Sequence, residues 1–269
     1  MNEPMSPARP IARPIARPIA RIIAVTSGKG GVGKTFVSAN LAAALTRAGQ
    51  RVLVLDADLG LANLDVVLSL SARVTLHDVF TGRAEIGDAL QPAPGGFTVL
   101  LAGSGLLEYS RMTPELRDRL IEVVDTVRPE FDLVLLDTGA GISDVVLFTL
   151  SLADELLVVV TPEPTSLTDA YAAIKVLATT QAARPVRLLV NQVQQRGQGL
   201  AVRAQLQQVV ERFVNPGLDA ALQLALLGEV PFDAAVRESI QQRQLLLETQ
   251  PGCPAAMAIA AAAGKLLPP

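Results

Sequence analysis

The chain has 269 residues, a formal net charge of −3 and a single cysteine, Cys253; half of its residues are hydrophobic and its mean hydropathy is +0.38. One cysteine excludes an internal disulfide and any cluster site that needs paired thiolates within the chain, and the near-balanced charge supplies no global basic field for nucleic acid. The apolar runs break well short of the ~18 residues a membrane-spanning helix needs, so they read as strands of a buried sheet. The length suits one large α/β domain. With no charged-then-apolar leader ahead of residue 21, the expected location is the cytoplasm.

Residues 1–20 stand apart from the rest as a flexible Arg/Pro tail, leaving 21–269 as the folded domain. The tetrapeptide Ala8-Arg9-Pro10-Ile11 repeats through Ala16-Arg17-Pro18-Ile19. A proline at every fourth position forbids helix and predicts an extended or disordered arm carrying Arg9, Arg13, Arg17 and Arg21. Such an arm is either a docking peptide for an acidic partner or an anionic membrane surface, or an idle tail.

Next comes the stretch on which the rest depends. Ile22-Ile23-Ala24-Val25 is an apolar strand, Ser27-Gly28-Lys29-Gly30-Gly31-Val32-Gly33-Lys34-Thr35 follows it, and Phe36, Val37, Leu41 and Leu45 then recur at helical spacing. Strand, glycine loop and helix in that order are the setting of a phosphate-binding loop, and the match to G-x-x-x-x-G-K-[ST] is complete. The glycines let backbone N–H groups turn inward, and the helix presents its positive end to the same anion. The residues from Gly28 to Phe36 should therefore wrap ATP, with Lys34 on the β/γ-phosphates and the Thr35 hydroxyl on Mg²⁺.

Further strands are predicted at Val52–Asp56, Phe97–Leu101, Leu133–Asp137, Leu156–Val160, Val186–Asn191 and Leu224–Val230. Together with Ile22–Thr26 they make about seven, apolar throughout and separated by helix-length segments. That pattern predicts a mostly parallel sheet with helices on both faces, a P-loop NTPase fold. In such folds ligands sit beyond the carboxyl ends of the strands. Those ends carry Asp56-Ala57-Asp58 and Asp137-Thr138-Gly139-Ala140-Gly141. A carboxylate at a strand tip beside a phosphate loop can hold Mg²⁺ through water, and glycines behind it let the next loop move with the γ-phosphate. Asp137 thus reads as the magnesium-side carboxylate and Gly139–Gly141 as a switch loop. Taken singly, an aspartate at a strand end is also a helix N-cap. Asn191 and Val230-Pro231-Phe232-Asp233 close two later strands and read as either base contacts or plain turns. In Thr161-Pro162-Glu163-Pro164-Thr165-Ser166 a proline-stiffened exit leads into a helix capped by Ser166 or Thr165. His77, alone after Thr75-Leu76, has no carboxylate or cysteine neighbours for a metal and reads as structural.

The loop sequence GKGGVGKT resembles the deviant Walker A motif of the MinD/ParA class of ATPases. The resemblance implies that Lys29 reaches across a dimer interface to the partner's nucleotide. It further implies that Asp58 orients the attacking water with Asp56 nearer the metal, that Glu163 contributes to the nucleotide-sandwich dimer, that Asn191 bonds the adenine and that Pro231 and Phe232 border the base. Thr161–Ala172 (TPEPTSLTDAYA), Asp137–Ser143 (DTGAGIS) and Ala102–Gly105 (AGSG) look like the FlhG/FleN branch, which regulates flagellar number and placement. The likeness runs from about Ile22 to Leu267.

It implies an ATP-controlled homodimer with slow, partner-stimulated hydrolysis, and a flagellar GTPase or transcriptional regulator as partner. Two departures stand out. The Pro/Arg repeat occupies the place of the branch's DQAxxLR-type segment. The C-terminal run Ala255–Leu267 is apolar nearly all round, whereas an interfacial helix needs a charged face; it reads as a core helix, with peripheral contact at the inner face of the membrane as the alternative. The competing functions are a ParA-type partition ATPase on non-specific DNA, using Arg184, Arg187, Arg196, Arg203 and Arg212, and a MinD-type division-site ATPase. Cluster assembly would need paired cysteines.

Overall fold

The computed structural model describes residues 19–60, 63–103, 109, 111–181 and 183–267. The tetrapeptide arm and the end of the AGSG stretch, Ser104 and Gly105, lie outside the described residues. In chain order the elements are β1 (Arg21–Thr26), α1 (Lys34–Arg47), β2 (Val52–Ala57), α2 (Leu64–Leu68), α3 (Leu76–Phe80), α4 (Ile86–Ala89), β3 (Leu90–Pro92), β4 (Thr98–Leu100), α5 (Pro114–Val127), β5 (Leu133–Thr138), α6 (Asp144–Ser151), β6 (Glu155–Val160), α7 (Pro164–Thr180), β7 (Val186–Val193), α8 (Gln198–Phe213), β8 (Leu224–Pro231), α9 (Ala234–Gln242), α10 (Leu246–Thr249) and α11 (Pro254–Gly264).

One sheet holds the strands in the order β3-β4-β2-β5-β1-β6-β7-β8, and every pair in it is parallel except β3 with β4. The strand beyond the seven expected is β3, a three-residue edge piece ending in Pro92. It is too short to show an apolar pattern, and proline is tolerated there because an edge strand has an unpaired side. Around β1 the neighbouring residues Ile22 and Ile23 are both 0% exposed, so both faces of the sheet are covered and the uniform apolar runs have their explanation. Ile22 joins a core with α5, α6, α7 and α8, and Ile23 joins a second core with α1, α10 and α11.

Polar groups pin the helices at few, specific places. Asn40, buried inside α1, donates to its own Phe36 carbonyl at 2.9 Å and accepts from Leu247 N–H at 3.2 Å, tying α1 to α10. Asp233 accepts from the Ala235 and Ala255 amides, joining the starts of α9 and α11. The C-terminal helix α11 buries Ala255, Ala256, Ile259, Ala262 and Ala263 against α1 and β8. Its stripe of alanines permits close approach, and a Cβ added at Gly228 on β8 would meet Ala262 at 3.3 Å. The helix packs one face into the core, as expected, but its other face, with Met257, Ala260 and Ala261, is exposed. Among the described residues no helix is long and apolar enough to cross a membrane.

The start of α7 differs from the expectation. Glu163 is the N-cap and Pro164 the first helical residue, with neither Thr165 nor Ser166 capping. Proline fits the first turn because its missing N–H is unneeded there. Ser166 lies inside that turn, where its hydroxyl accepts the Thr161 N–H at 3.0 Å and closes the strand exit instead.

Candidate functional site

The phosphate-loop residues run from the end of β1 over the start of α1. Gly31 and Gly33 have φ of 79° and 93°, which residues with a Cβ adopt at a cost. Space is also scarce: a Cβ on Gly33 would lie 2.6 Å from Asn191 Nδ2, and one on Gly28 would lie 2.1 Å from the Asp169 backbone in α7. No side chain caps α1, and its first turn carries no acid. The amides at that helix start are therefore open to an outside anion.

Two buried carboxylates face each other across neighbouring strands. Asp56 on β2 is the register partner of Asp137 on β5, and they are 1% and 2% exposed. Burial pushes the Asp137 carboxyl up to about 6, against hydrogen bonds from Thr35 and Ser38 and the charge of Lys34, which pull it down. The Ser38 hydroxyl donates to Asp137 at 2.9 Å. Burial, and next the neighbouring Asp137, hold Asp56 well above the usual carboxylate range, although it accepts amides from Asp58 at 3.2 Å and Leu64 at 3.4 Å. Lys34 is shifted down by burial, with Asp137 and Asp58 opposing that shift. Three acids, Asp56, Asp58 and Asp137, and the hydroxyls of Thr35 and Ser38 share the one charge of Lys34, and hard oxygens of this kind suit Mg²⁺. Among the described residues no group of three or more His, Cys, Asp or Glu could hold a metal by itself. A cation here would need phosphate and water oxygens as well, which is how magnesium sits on a nucleotide.

A cavity of about 540 Å³ opens over this arrangement, and Gly30, Lys34, Thr35, Phe36, Asp58 and Gly139 line it. Asp58 leans on the switch loop: a Cβ at Gly139 would be 3.3 Å from Asp58 Oδ1. Lys29 is absent from the lining. Its ammonium instead reaches Glu163 at 2.7 Å and the Thr165 hydroxyl at 3.0 Å, at the start of α7. Asn191 lies behind the loop and holds it, donating to the Val32 carbonyl at 2.8 Å while its own oxygen accepts the Gln192 amide at 2.9 Å. Pro231 is the register partner of Val193, and Phe232, 64% exposed, bonds back to the Val193 carbonyl at 2.9 Å. These two close the neighbouring strand end but do not line the cavity.

Three residues of the site were not expected from the sequence: Ser38, which bonds Asp137, and Asn63 and Tyr109, which line the cavity. Ser38 is four residues after Lys34, one helical turn on, so the signal was available. Tyr109 also lines the cavity, and its hydroxyl lies 2.6 Å from His77 Nδ1 with Phe80 edge-on at 5.7 Å. His77 thus has a structural contact, and only the fold brings residues 77 and 109 together.

Residues 18–267 match the ParA family model, described as NUBPL iron-transfer P-loop NTPase. The single Cys253, half-buried at the start of α11, offers no thiolate pair for iron. "Antiactivator FleN" of Pseudomonas aeruginosa is 43% identical over 245 residues, covering 91% of this chain and 85% of its own length. "Flagellum site-determining protein YlxH" of Helicobacter pylori is 33% identical, covering 85% of this chain and 76% of its own. The septum site-determining protein MinD of Pyrococcus horikoshii, solved as a complex with Mg-ADP, superposes with a TM-score of 0.75 at 27% identity, over 92% of this chain and 96% of that one. With a family model spanning nearly all of its length and a relative this similar, the chain belongs to the ParA/MinD family of P-loop ATPases.

Proposed function

We propose that the chain is an ATP-dependent dimerisation switch with slow hydrolysis that controls the number or placement of flagella in a bacterium. The observation that carries this reading is the direction of Lys29. It belongs to the phosphate loop yet turns away from that loop's own cavity to an exposed pair with Glu163. Exposed pairs contribute about 0–1 kcal/mol, so a triphosphate on a facing copy is a strong enough anion to draw Lys29 away. Glu163 is then the residue that parks Lys29 when no second copy is present.

In this reading the amides of Gly28–Phe36 and the α1 start receive the phosphates of ATP, and Lys34 reaches the β/γ oxygens. The Thr35 hydroxyl would hold Mg²⁺, with Asp137 and Asp56 reaching it through water, and when bound the ion neutralises charge on the phosphates. Asp58 orients a water beside Gly139. The water oxygen bonds to the γ-phosphorus, the bond to the ADP oxygen breaks, and the released proton leaves with the phosphate. Asn191 braces the loop and, with Pro231 and Phe232, borders the adenine. Hydrolysis is weak until a partner engages the dimer. The words "antiactivator" and "flagellum site-determining" on the two relatives support a transcriptional regulator or a flagellar GTPase as that partner. The expected location is the cytoplasm, with any membrane contact peripheral.

Three of the five arginines of the partition reading are engaged within the fold, while Arg196 and Arg212 are exposed. Arg184 donates to the Leu150 and Ala153 carbonyls, Arg187 pairs with Glu155, and Arg203 donates to the Leu224 carbonyl. Light scattering on Lys29→Ala tests the switch. The variant should stay monomeric with ATP and Mg²⁺ where the unmodified chain dimerises, and a dimer formed equally well by both would refute it. Flagella counted per cell after deletion of the gene test the biological output; an unchanged count would remove the flagellar assignment and leave the switch standing.

A further inference from the structure

At the opposite end of the sheet from the nucleotide cavity lies a second opening of about 560 Å³, set over the first residues of β6 and β7. Its walls are mainly apolar: Leu156, Ile174, Leu177, Val186, Leu218 and Leu222 all line it. The proposed ATPase cycle uses none of these residues. An apolar trough of this size left to water costs free energy in proportion to its exposed area.

We infer that this groove seats the chain's own N-terminal Ala-Arg-Pro-Ile arm. The place where the described chain begins is the first argument. Ile19 is 69% exposed, and the next residue, Ala20, is already fixed, because its carbonyl accepts from Arg128 Nε at 2.9 Å. Arg128 also pairs with Asp154 at 2.7 Å. The carbonyl just before Asp154, on Ala153, accepts from Arg184 at 2.9 Å, and Arg184 lines the groove. A continuous run of contacts therefore leads from the exit of the arm to the edge of the trough.

Length agrees with this. β1 neighbours β6 and β6 neighbours β7, so the groove is two strand spacings from the exit, about 10 Å. Eighteen residues at the ~3.1 Å rise of a proline-rich extended chain span on the order of 50 Å.

Chemistry agrees as well. The arm presents an isoleucine every fourth residue, Ile11 and Ile15, alternating with Arg9, Arg13 and Arg17, and has no acid after Glu3. The groove offers apolar walls to the isoleucines; its two charged residues, Arg184 and the exposed Asp219, are of opposite sign, so the fit rests on apolar contact and hydrogen bonding. The groove also has Gln181, whose amide nitrogen donates to the Leu147 carbonyl at 2.7 Å while its oxygen, shielded from solvent, has no hydrogen-bond partner among the described residues. A shielded acceptor without a donor costs about 1–3 kcal/mol, and an arginine or a backbone N–H from the arm supplies that donor.

Disulfide trapping in the full-length chain tests the seat. In a Cys253→Ser background, which keeps a capping side chain at the start of α11, a cysteine is placed in the arm by Ala12→Cys. A second is placed either at the groove by Asp219→Cys or on the far face by Met257→Cys, an exposed position on α11. Seating predicts a product of single-chain mass formed about tenfold faster with the groove cysteine than with the far one, because docking raises the local concentration. Adding Ala178→Arg, which places a cation in the groove, should return that rate to the level of the far position. Equal rates at the two positions would leave the groove to a separate partner and overturn the proposal. A product only at twice the chain mass would assign it to a second copy and overturn it too.

Discussion

The two ends of the sheet hold openings of nearly equal volume, about 540 and 560 Å³, and they differ in almost every other respect. At the carboxyl end of the strands lie glycines, Lys34, two buried carboxylates and an uncapped helix start. At the amino end the walls are apolar and four arginines are already engaged: Arg128 on Asp154, Arg51 on Asp132, Arg187 on Glu155 and Arg184 on the Leu150 and Ala153 carbonyls. The difference follows from the parallel sheet. Each helix that returns from one strand to the next begins at the carboxyl end of the strands and finishes at the amino end. Free N–H groups and positive dipole ends therefore gather at one end, and free carbonyls at the other. Anions belong at the first; arginines are the natural closure of the second.

Substitutions at the polar end should have the largest effects. Asp58→Ala should slow hydrolysis by about 100-fold or more, the usual range for a lost acid–base or water-orienting group, while ATP binding survives; radiolabelled phosphate release beside nucleotide titration separates the two. Lys34→Ala should weaken binding by about 10- to 100-fold, since a hydrogen bond to a charged group contributes about 1.5–3 kcal/mol. If instead Lys34→Ala bound ATP normally and an amino-end variant did not, the contrast between the ends would be wrong.

The buried acids make a pH prediction. The Asp137 carboxyl is raised from 3.8 to about 6, so the folded state binds its proton more tightly than the unfolded chain. That contribution to stability is complete below about pH 4 and is lost as pH rises through 6. By about 1.4 kcal/mol per unit the loss approaches 3 kcal/mol, and Asp56, raised in the same direction, adds to it. Chemical denaturation of the ligand-free chain between pH 4.5 and 7 should show this slope, and Asp137→Asn should flatten it.

Much of this was legible in the chain. The run from Ile22 to Thr35 announced strand, loop and helix because glycine spacing and apolar spacing are local signals, and Asp137 could be read because it ends a uniformly apolar run. What could not be read depended on contacts distant in sequence. Lys29 meets Glu163 across 134 positions and Asn191 meets Val32 across 159, and no local pattern encodes such pairs. The edge strand β3 escaped because three residues ending in proline carry no periodicity. The start of α7 was misplaced because Ser and Thr signal a cap, whereas Pro164 at the first helical position was the stronger constraint.

Smaller effects sharpen the contrast further. Asn191→Ala should lower stability by about 1–2 kcal/mol by leaving the Val32 carbonyl unmet and should also loosen nucleotide binding. Arg184→Ala, which uncovers the Leu150 and Ala153 carbonyls at the other end, should cost a similar amount with nucleotide binding unchanged. Thermal melts with and without ATP distinguish these outcomes. Glu163→Ala should change monomer stability by no more than about 1 kcal/mol.

Shared catalysis between two copies is read most directly from the rate of ATP hydrolysis per chain measured over a wide range of protein concentration. The account predicts a rate per chain that climbs with concentration and then levels off as dimers saturate, with Lys29→Ala staying at the low-concentration value throughout. A rate per chain that is the same at every concentration, and unaffected by Lys29→Ala, would contradict it.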